Sequence, residues 1–293
     1  MNSQTTPAMQ KSRAKRLCPL WTALKYVALL ATAFVILMPI LWFVTSSFRS
    51  NNEVFANINP FSLAKMFFGS YSLENYVTIF TKYSFAQSVF NTLLISFLTI
   101  VIGIVVCSMA GYALAKMQFA GRKLMFLLVL FAIMIPFDAI AIPLYTIVTK
   151  LGWIDTYQAI ILPAVANGMT IFMFRQSFRD INDSLIEAAR IDGAGEFRTF
   201  WQIIMPVSIP SIISGSLVMF TSQWNAFMWP LLVARSDKLT MLQVALTDFQ
   251  LENGTMWAEL FAGITISMLI PCMILIPFQK YYIRGISSSG MKD

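Results

Sequence analysis

Apolar residues run along this chain in long blocks that end at charged side chains. Uncharged stretches of 23 residues separate Lys25 from Arg49, 33 separate Lys82 from Lys116, 19 separate Asp155 from Arg175, 36 separate Arg198 from Arg235, and 20 separate Glu259 from Lys280. A helix crosses a hydrocarbon core of about 30 Å with about 20 mostly apolar residues, so these gaps predict five spanning helices. A sixth fits Leu124 to Ile147, apolar except for Asp138, which is expected near an interface, as is Glu259. The expected fold is therefore all-α, a polytopic membrane protein with six transmembrane helices at about 26–48, 88–114, 124–147, 157–174, 208–232 and 258–279. One membrane domain over 26–283 lies between an N-terminal tail, 1–25, and a C-terminal tail, 284–293. The first apolar block follows a basic segment, as a signal peptide does, but it is too long for a usual h-region and is read as a retained helix.

The connection from Gln176 to Pro206 is patterned where a loop would not be. Ser184 and Glu187 have capping-box spacing, Leu185 to Asp192 suits two helical turns, and Gly193 can end them in the left-handed conformation. A second helix over Gly195 to Met205 aligns Phe197, Phe200, Trp201 and Ile204 at i, i+3, i+4, i+7, and Pro206 is expected to stop it. Such an aromatic face needs a cover. Either a soluble subunit docks on it, or the helix lies against its own bundle or the bilayer interface.

Composition agrees with the pattern: 57% of residues are hydrophobic and 12% charged, outside the range of a water-facing domain. With no histidine, histidine metal sites and Ser-His-Asp triads are excluded, and no metal site is expected. Fifteen of the 21 Lys and Arg residues fall on the two tails and alternate connections, which predicts both termini in the cytoplasm. The net charge of +7 then follows from topology, with no nucleic-acid partner. The chain lacks a G-x-x-x-x-G-K-[ST] segment and is expected to bind no nucleotide itself. Gln223, Trp224 and Asn225 combine amides with an aromatic face and are candidates for a solute path, although buried amides also serve to join helices. An ion-coupled secondary transporter of small polar solutes is the alternative architecture; neither inverted repeats nor deeply buried charges point to it.

Glu187-Ala188-Ala189, three residues, Gly193, nine residues, Ile203, one residue, then Met205-Pro206 resembles the EAA loop of integral membrane subunits of binding-protein-dependent ABC importers, with Met205 where leucine is usual. Asn91-Thr92, Gly111 to Ala115, Met134-Ile135-Pro136, Ile142 to Tyr145, Trp224-Asn225, Pro230-Leu231 and Phe278 to Tyr282 extend the likeness to the MalG-type permeases of carbohydrate uptake. Asp293 departs from the usual terminal glycine. The resemblance implies a permease without enzymatic activity in a bacterial inner (plasma) membrane, importing a carbohydrate by alternating access. Its implied partners are a second homologous permease, two ATP-binding subunits that hold ATP and Mg2+, an extracytoplasmic solute-binding protein and membrane lipid. The ATPase-coupling surface it implies comprises Glu187, Ala188, Ala189, Asp192, Gly193, Phe197, Phe200 and Pro206, with Glu187 facing an arginine of the ATPase. Asp248, Glu252, Asn253 and Gly254 correspond to the place where such subunits reach the binding protein.

Overall fold

The structure is a computed structural model that describes residues 19–55, 69–251 and 254–287. Its helices are α1 (Pro19–Ser46), α2 (Asn51–Val54), α3 (Glu74–Lys82), α4 (Phe85–Lys116), α5 (Arg122–Met134), α6 (Phe137–Lys150), α7 (Tyr157–Val165) and α8 (Gly168–Arg179). They continue with α9 (Asp183–Ile191), α10 (Glu196–Val207), α11 (Ile209–Trp224), α12 (Met228–Val233), α13 (Leu242–Ala245) and α14 (Trp257–Ser287). The described residues depart from all-α in one place. A two-stranded antiparallel ribbon, β1 (Gln250–Leu251) with β2 (Gly254–Thr255), pairs Gln250 with Thr255 and Leu251 with Gly254.

Four segments are long and apolar enough to cross a membrane: Trp21–Ser46, Phe85–Lys116, Tyr157–Arg179 and Trp257–Lys280. The expected span over 124–147 is a bent pair, α5 with α6 at 103°, and α10 with α11, bent by 82°, is apolar enough as a pair, so four to six segments are candidates to cross. The expected rod over 124–147 is corrected to two helices meeting at Ile135-Pro136. A residue before proline is driven out of the helical region, and Ile135 adopts extended backbone, φ −79° and ψ 118°. The segment expected over 208–232 likewise ends its first helix at Trp224 and resumes at Met228.

The hub is α4, which packs along α7, α8 and α11, while α14 packs on α11 and α1. Close contact of α4 with α8 depends on Gly111: a Cβ there would lie 2.6 Å from Phe174 Cβ and 3.0 Å from the Arg175 backbone nitrogen. The bundle core has an upper and a lower part. At the end carrying the 182–208 connection, Cys107, Tyr112, Phe174, Phe178, Phe200 and Ile204 pack together. Towards the other end, Ile95, Ile160, Trp229, Val233 and Met241 form one cluster and Phe85, Phe220, Trp224 and Phe249 another. Many large apolar side chains on α1 and α5 remain exposed, Leu30, Val35, Leu124 and Phe131 among them, as a lipid-facing surface requires.

Buried polar side chains tie connections to helices. Asn91 donates to the Lys238 and Thr240 carbonyls at 2.9 and 3.0 Å and accepts from Gln87, and Thr92 accepts the Leu242 N–H. Glu259, in the first turn of α14, accepts a 2.8 Å bond from Asn51. Asp155, held at φ 61°, accepts the Arg235 and Ser236 N–H groups and the Ser236 hydroxyl through one oxygen. Those bonds from Ser236, aided by Arg235, hold its carboxyl below the usual range. A depressed carboxylate stabilises above its unfolded pKa, about 3.9, and loses that contribution as pH falls through the folded value. The Arg235 and Ser236 amides should therefore show exchange protection that is steady at neutral pH and declines on acidification below about pH 4. Asp155→Asn, which tolerates the left-handed backbone, should remove that pH dependence.

Candidate functional site

The 182–208 connection is two helices fastened to the bundle. Asn182 caps α9, its side-chain oxygen accepting the Ser184 N–H at 3.0 Å. The expected Ser184–Glu187 capping box is thus replaced by a cap two residues earlier. The C-terminal end follows expectation: Gly193 has φ 78°, Ala194 N–H donates to the Ala189 carbonyl at 2.8 Å and Gly193 N–H to Arg190 at 3.0 Å. These are the paired bonds of a Schellman motif. Glycine reaches this conformation without the Cβ penalty.

Past Gly195 the chain forms α10, which contains a π turn over Phe200–Ile204. Met205 N–H donates to the Phe200 carbonyl, five residues back, and the helix runs through Pro206 to Val207 before the bend. Pro206 therefore does not stop it. The wider turn also divides the expected aromatic face. Phe200 and Ile204 are buried in the bundle, with the Phe200 ring 5.4 Å from that of Tyr112. Phe197, at 68% exposure, and Trp201 face outward. Ala189 is buried as well, so Phe200 and Ala189 support the connection from beneath. Glu187, Ala188, Asp192, Gly193, Phe197 and Pro206 lie at the surface, beside exposed Leu185 and Ile191.

Two anchors join this surface to α4. Lys116, itself nearly buried, donates to the Ile181 carbonyl at 2.6 Å and to Asp183 at 2.5 Å, and the Lys116 bond holds the Asp183 carboxyl below its usual range. Tyr112 donates to one Glu196 oxygen at 2.8 Å, while Arg190 pairs with the other at 2.7 Å. The sequence reading missed Lys116, Tyr112 and Glu196; only the acids next to the connection hinted at them.

An open cavity of about 700 Å3 lies between α4, α6, the α7–α8 break and the α11–α12 break, lined by Thr99, Asp138, Asn167, Ser222, Gln223 and Asn225 among others. Asp138, expected near an interface, lines this cavity. Gln223 and Asn225 reach this cavity together, but Trp224 does not. Its buried indole donates to the Ser267 carbonyl at 3.0 Å and borders a second cavity of about 430 Å3 with Gln243 and Ser267. Asn167 caps α8 by accepting from Thr170, and Asn91 is committed to the Lys238 and Thr240 carbonyls and to Gln87. At the opposite end, Asp248 lies on a 3-10 turn at the surface, where partial shielding of its carboxyl from water and the nearby Asp237 charge raise its pKa. Gly254 opens β2 with φ 142°. Glu252 and Asn253 lie outside the described residues.

Residues 103–288 match the model of the family described as binding-protein-dependent transport system inner membrane component. The arabinooligosaccharides transport system permease protein AraQ of Halalkalibacterium halodurans is 34% identical over 285 residues, 95% of this chain and 99% of the relative. The sn-glycerol-3-phosphate transport system permease protein UgpE of Yersinia enterocolitica is 29% identical over 207 residues, 70% of this chain and 74% of the relative. Among solved structures, a chain of a bacterial ABC transporter involved in the import of the acidic polysaccharide alginate superposes with a TM-score of 0.78 at 23% identity, covering 94% of this chain and 99% of that one.

Proposed function

Because the chain belongs to the binding-protein-dependent transport system inner membrane components, and so is a multi-pass permease subunit of an ABC importer, we propose that it forms one side of the pathway for a carbohydrate, most simply an oligosaccharide. The observation that carries this reading is the course of α4. Its Tyr112 and Lys116 hold the two-helix connection, and its Thr99 lines the cavity. Movement imposed on the connection is therefore transmitted by one rigid helix to the cavity wall. In this reading both termini are cytoplasmic and a separate subunit, loaded with ATP and Mg2+, grips the surface around Glu187 and Phe197. Closure of two such subunits drives alternating access between this chain and a second permease. Asp248 and the β1–β2 ribbon face an extracytoplasmic binding protein. The carbohydrate is supported by the relation to AraQ over 95% of the chain; UgpE, named for a sugar-alcohol phosphate, is the more distant relation.

The test is reconstitution of the chain with its partner permease, ATPase subunits and binding protein in proteoliposomes. Labelled arabinotriose should accumulate only with ATP and only when the ATPase is present. Uptake by the purified chain alone, driven by a proton or sodium gradient, would sink the proposal.

The anchors give a second expectation. Tyr112→Phe removes one hydrogen bond to Glu196 and leaves the ring packed on Phe200. Loss of a bond to a charged partner costs about 1.5–3 kcal/mol. The variant should assemble normally, yet transport fewer solutes per ATP hydrolysed, read as the ratio of uptake to phosphate release.

A further inference from the structure

Resting on the transport reading above, we propose that the 700 Å3 cavity is a solute station whose single charge, Asp138, admits uncharged polyhydroxylated solutes and repels those bearing carboxylate or phosphate. The volume falls within the range of small-molecule sites, roughly 300–1,000 Å3. Among the described lining residues Asp138 alone is ionisable, and no described Lys or Arg lines the cavity to neutralise it. Its side chain makes no ion pair with any described residue.

The remaining polar groups suit hydroxyls. Thr99, 1% exposed, is a lining residue, and its hydroxyl has no hydrogen-bond partner among the described residues. Gln223, 5% exposed, lines it too, with Asn225 and Ser222 beside it. A buried hydroxyl without a partner is costly, and a solute hydroxyl relieves that cost. Sugar hydroxyls can donate to Asp138 and to the amide oxygens, and can accept from Thr99 and the amide N–H groups. An anionic solute meets a like charge in a space walled by apolar helices, where the repulsion is stronger than in water. The helix break at Ile135-Pro136 puts Asp138 in this position, in the first turn of α6.

The charge can be read without knowing the natural solute. In the assembled importer, Cys18 and Cys272 are replaced by serine, buried Cys107 is kept, and Ser222→Cys places a thiol in the cavity. It is labelled with trimethylammonium-ethyl or sulfonato-ethyl methanethiosulfonate, each rate normalised to that of free mercaptoethanol. The cation-to-anion rate ratio should fall about tenfold on Asp138→Asn and be retained in Asp138→Glu. Complete labelling should also block ATP-driven uptake of arabinotriose. A ratio unchanged by Asp138→Asn overturns the charge filter, and undiminished uptake after complete labelling overturns the solute station. If the unlabelled importer never moves arabinotriose, the transport reading fails, and the reagent ratio still decides for or against Asp138.

Discussion

Glu187→Ala should leave the chain inserted and folded while cutting ATP-driven uptake about tenfold or more. The expectation of an intact fold comes from the surroundings of Glu187. It is exposed, and its charge acts on Arg190, itself paired with Glu196. Alanine is at least as good a helix former as glutamate, so α9 keeps its shape. Ile186 and Ala189, which hold α9 on the bundle, are untouched. The expectation of lost transport comes from the proposed interface. A carboxylate that meets an arginine of the ATPase in a partly desolvated contact has a coupling energy of about 1.5–7 kcal/mol. Even the lower figure is about tenfold in an equilibrium. Size-exclusion profiles of the detergent-extracted chain should match the wild type, and uptake per assembled complex should fall. Phe197→Ala, which removes an exposed ring without touching buried Phe200, should act in the same direction. Full uptake by both variants would remove the ATPase from this surface.

The residues show why some features were legible beforehand and others not. Charge-to-charge gaps locate membrane helices because burial of charge in hydrocarbon is costly, and four long helices appear where the gaps are. The same rule does not say that Ile135-Pro136 turns the chain by 103° or that Asp138, just past the turn, lines a cavity. Gln223, Trp224 and Asn225 illustrate a geometric limit. Successive helical residues are about 100° apart: Gln223 lines one cavity, Trp224 lines the other, and Asn225, at the end of α11, borders both. The aromatic face at 197–204 failed for a related reason. Its spacing assumes 3.6 residues per turn, and the π turn at Phe200–Ile204 adds a residue. Gly193 was legible because its role is local, a left-handed backbone at a helix end. Lys116 and Tyr112 were not, because their partners lie 67 and 84 residues away.

Gly111→Val should be the most damaging single change in the bundle, with little or no folded protein recovered from the membrane. Gly111 and Gly193 both belong to segments that identify the family, yet they are glycine for different reasons. At Gly193 an added Cβ meets nothing within 4 Å, and the difficulty is the positive φ. Gly193→Asn should therefore be tolerated in stability, since asparagine visits that region readily. At Gly111 an added Cβ would lie 2.6 Å from Phe174 Cβ. Neither is the end of a flexible side chain, so α4 and α8 must separate. Overpacking commonly costs about 1–3 kcal/mol, and here the strain falls on the interface that carries Tyr112 and Phe178. Two further carbons from valine exceed what Phe174, already 1% exposed, can yield. Gly111→Ala should be intermediate, reducing the recovered complex by several-fold. The check is the yield of monodisperse chain after extraction, alongside its resistance to trypsin. Wild-type recovery of Gly111→Val would mean that α4 and α8 do not approach as closely as the structure places them, and the rigid link from connection to cavity would lose its basis.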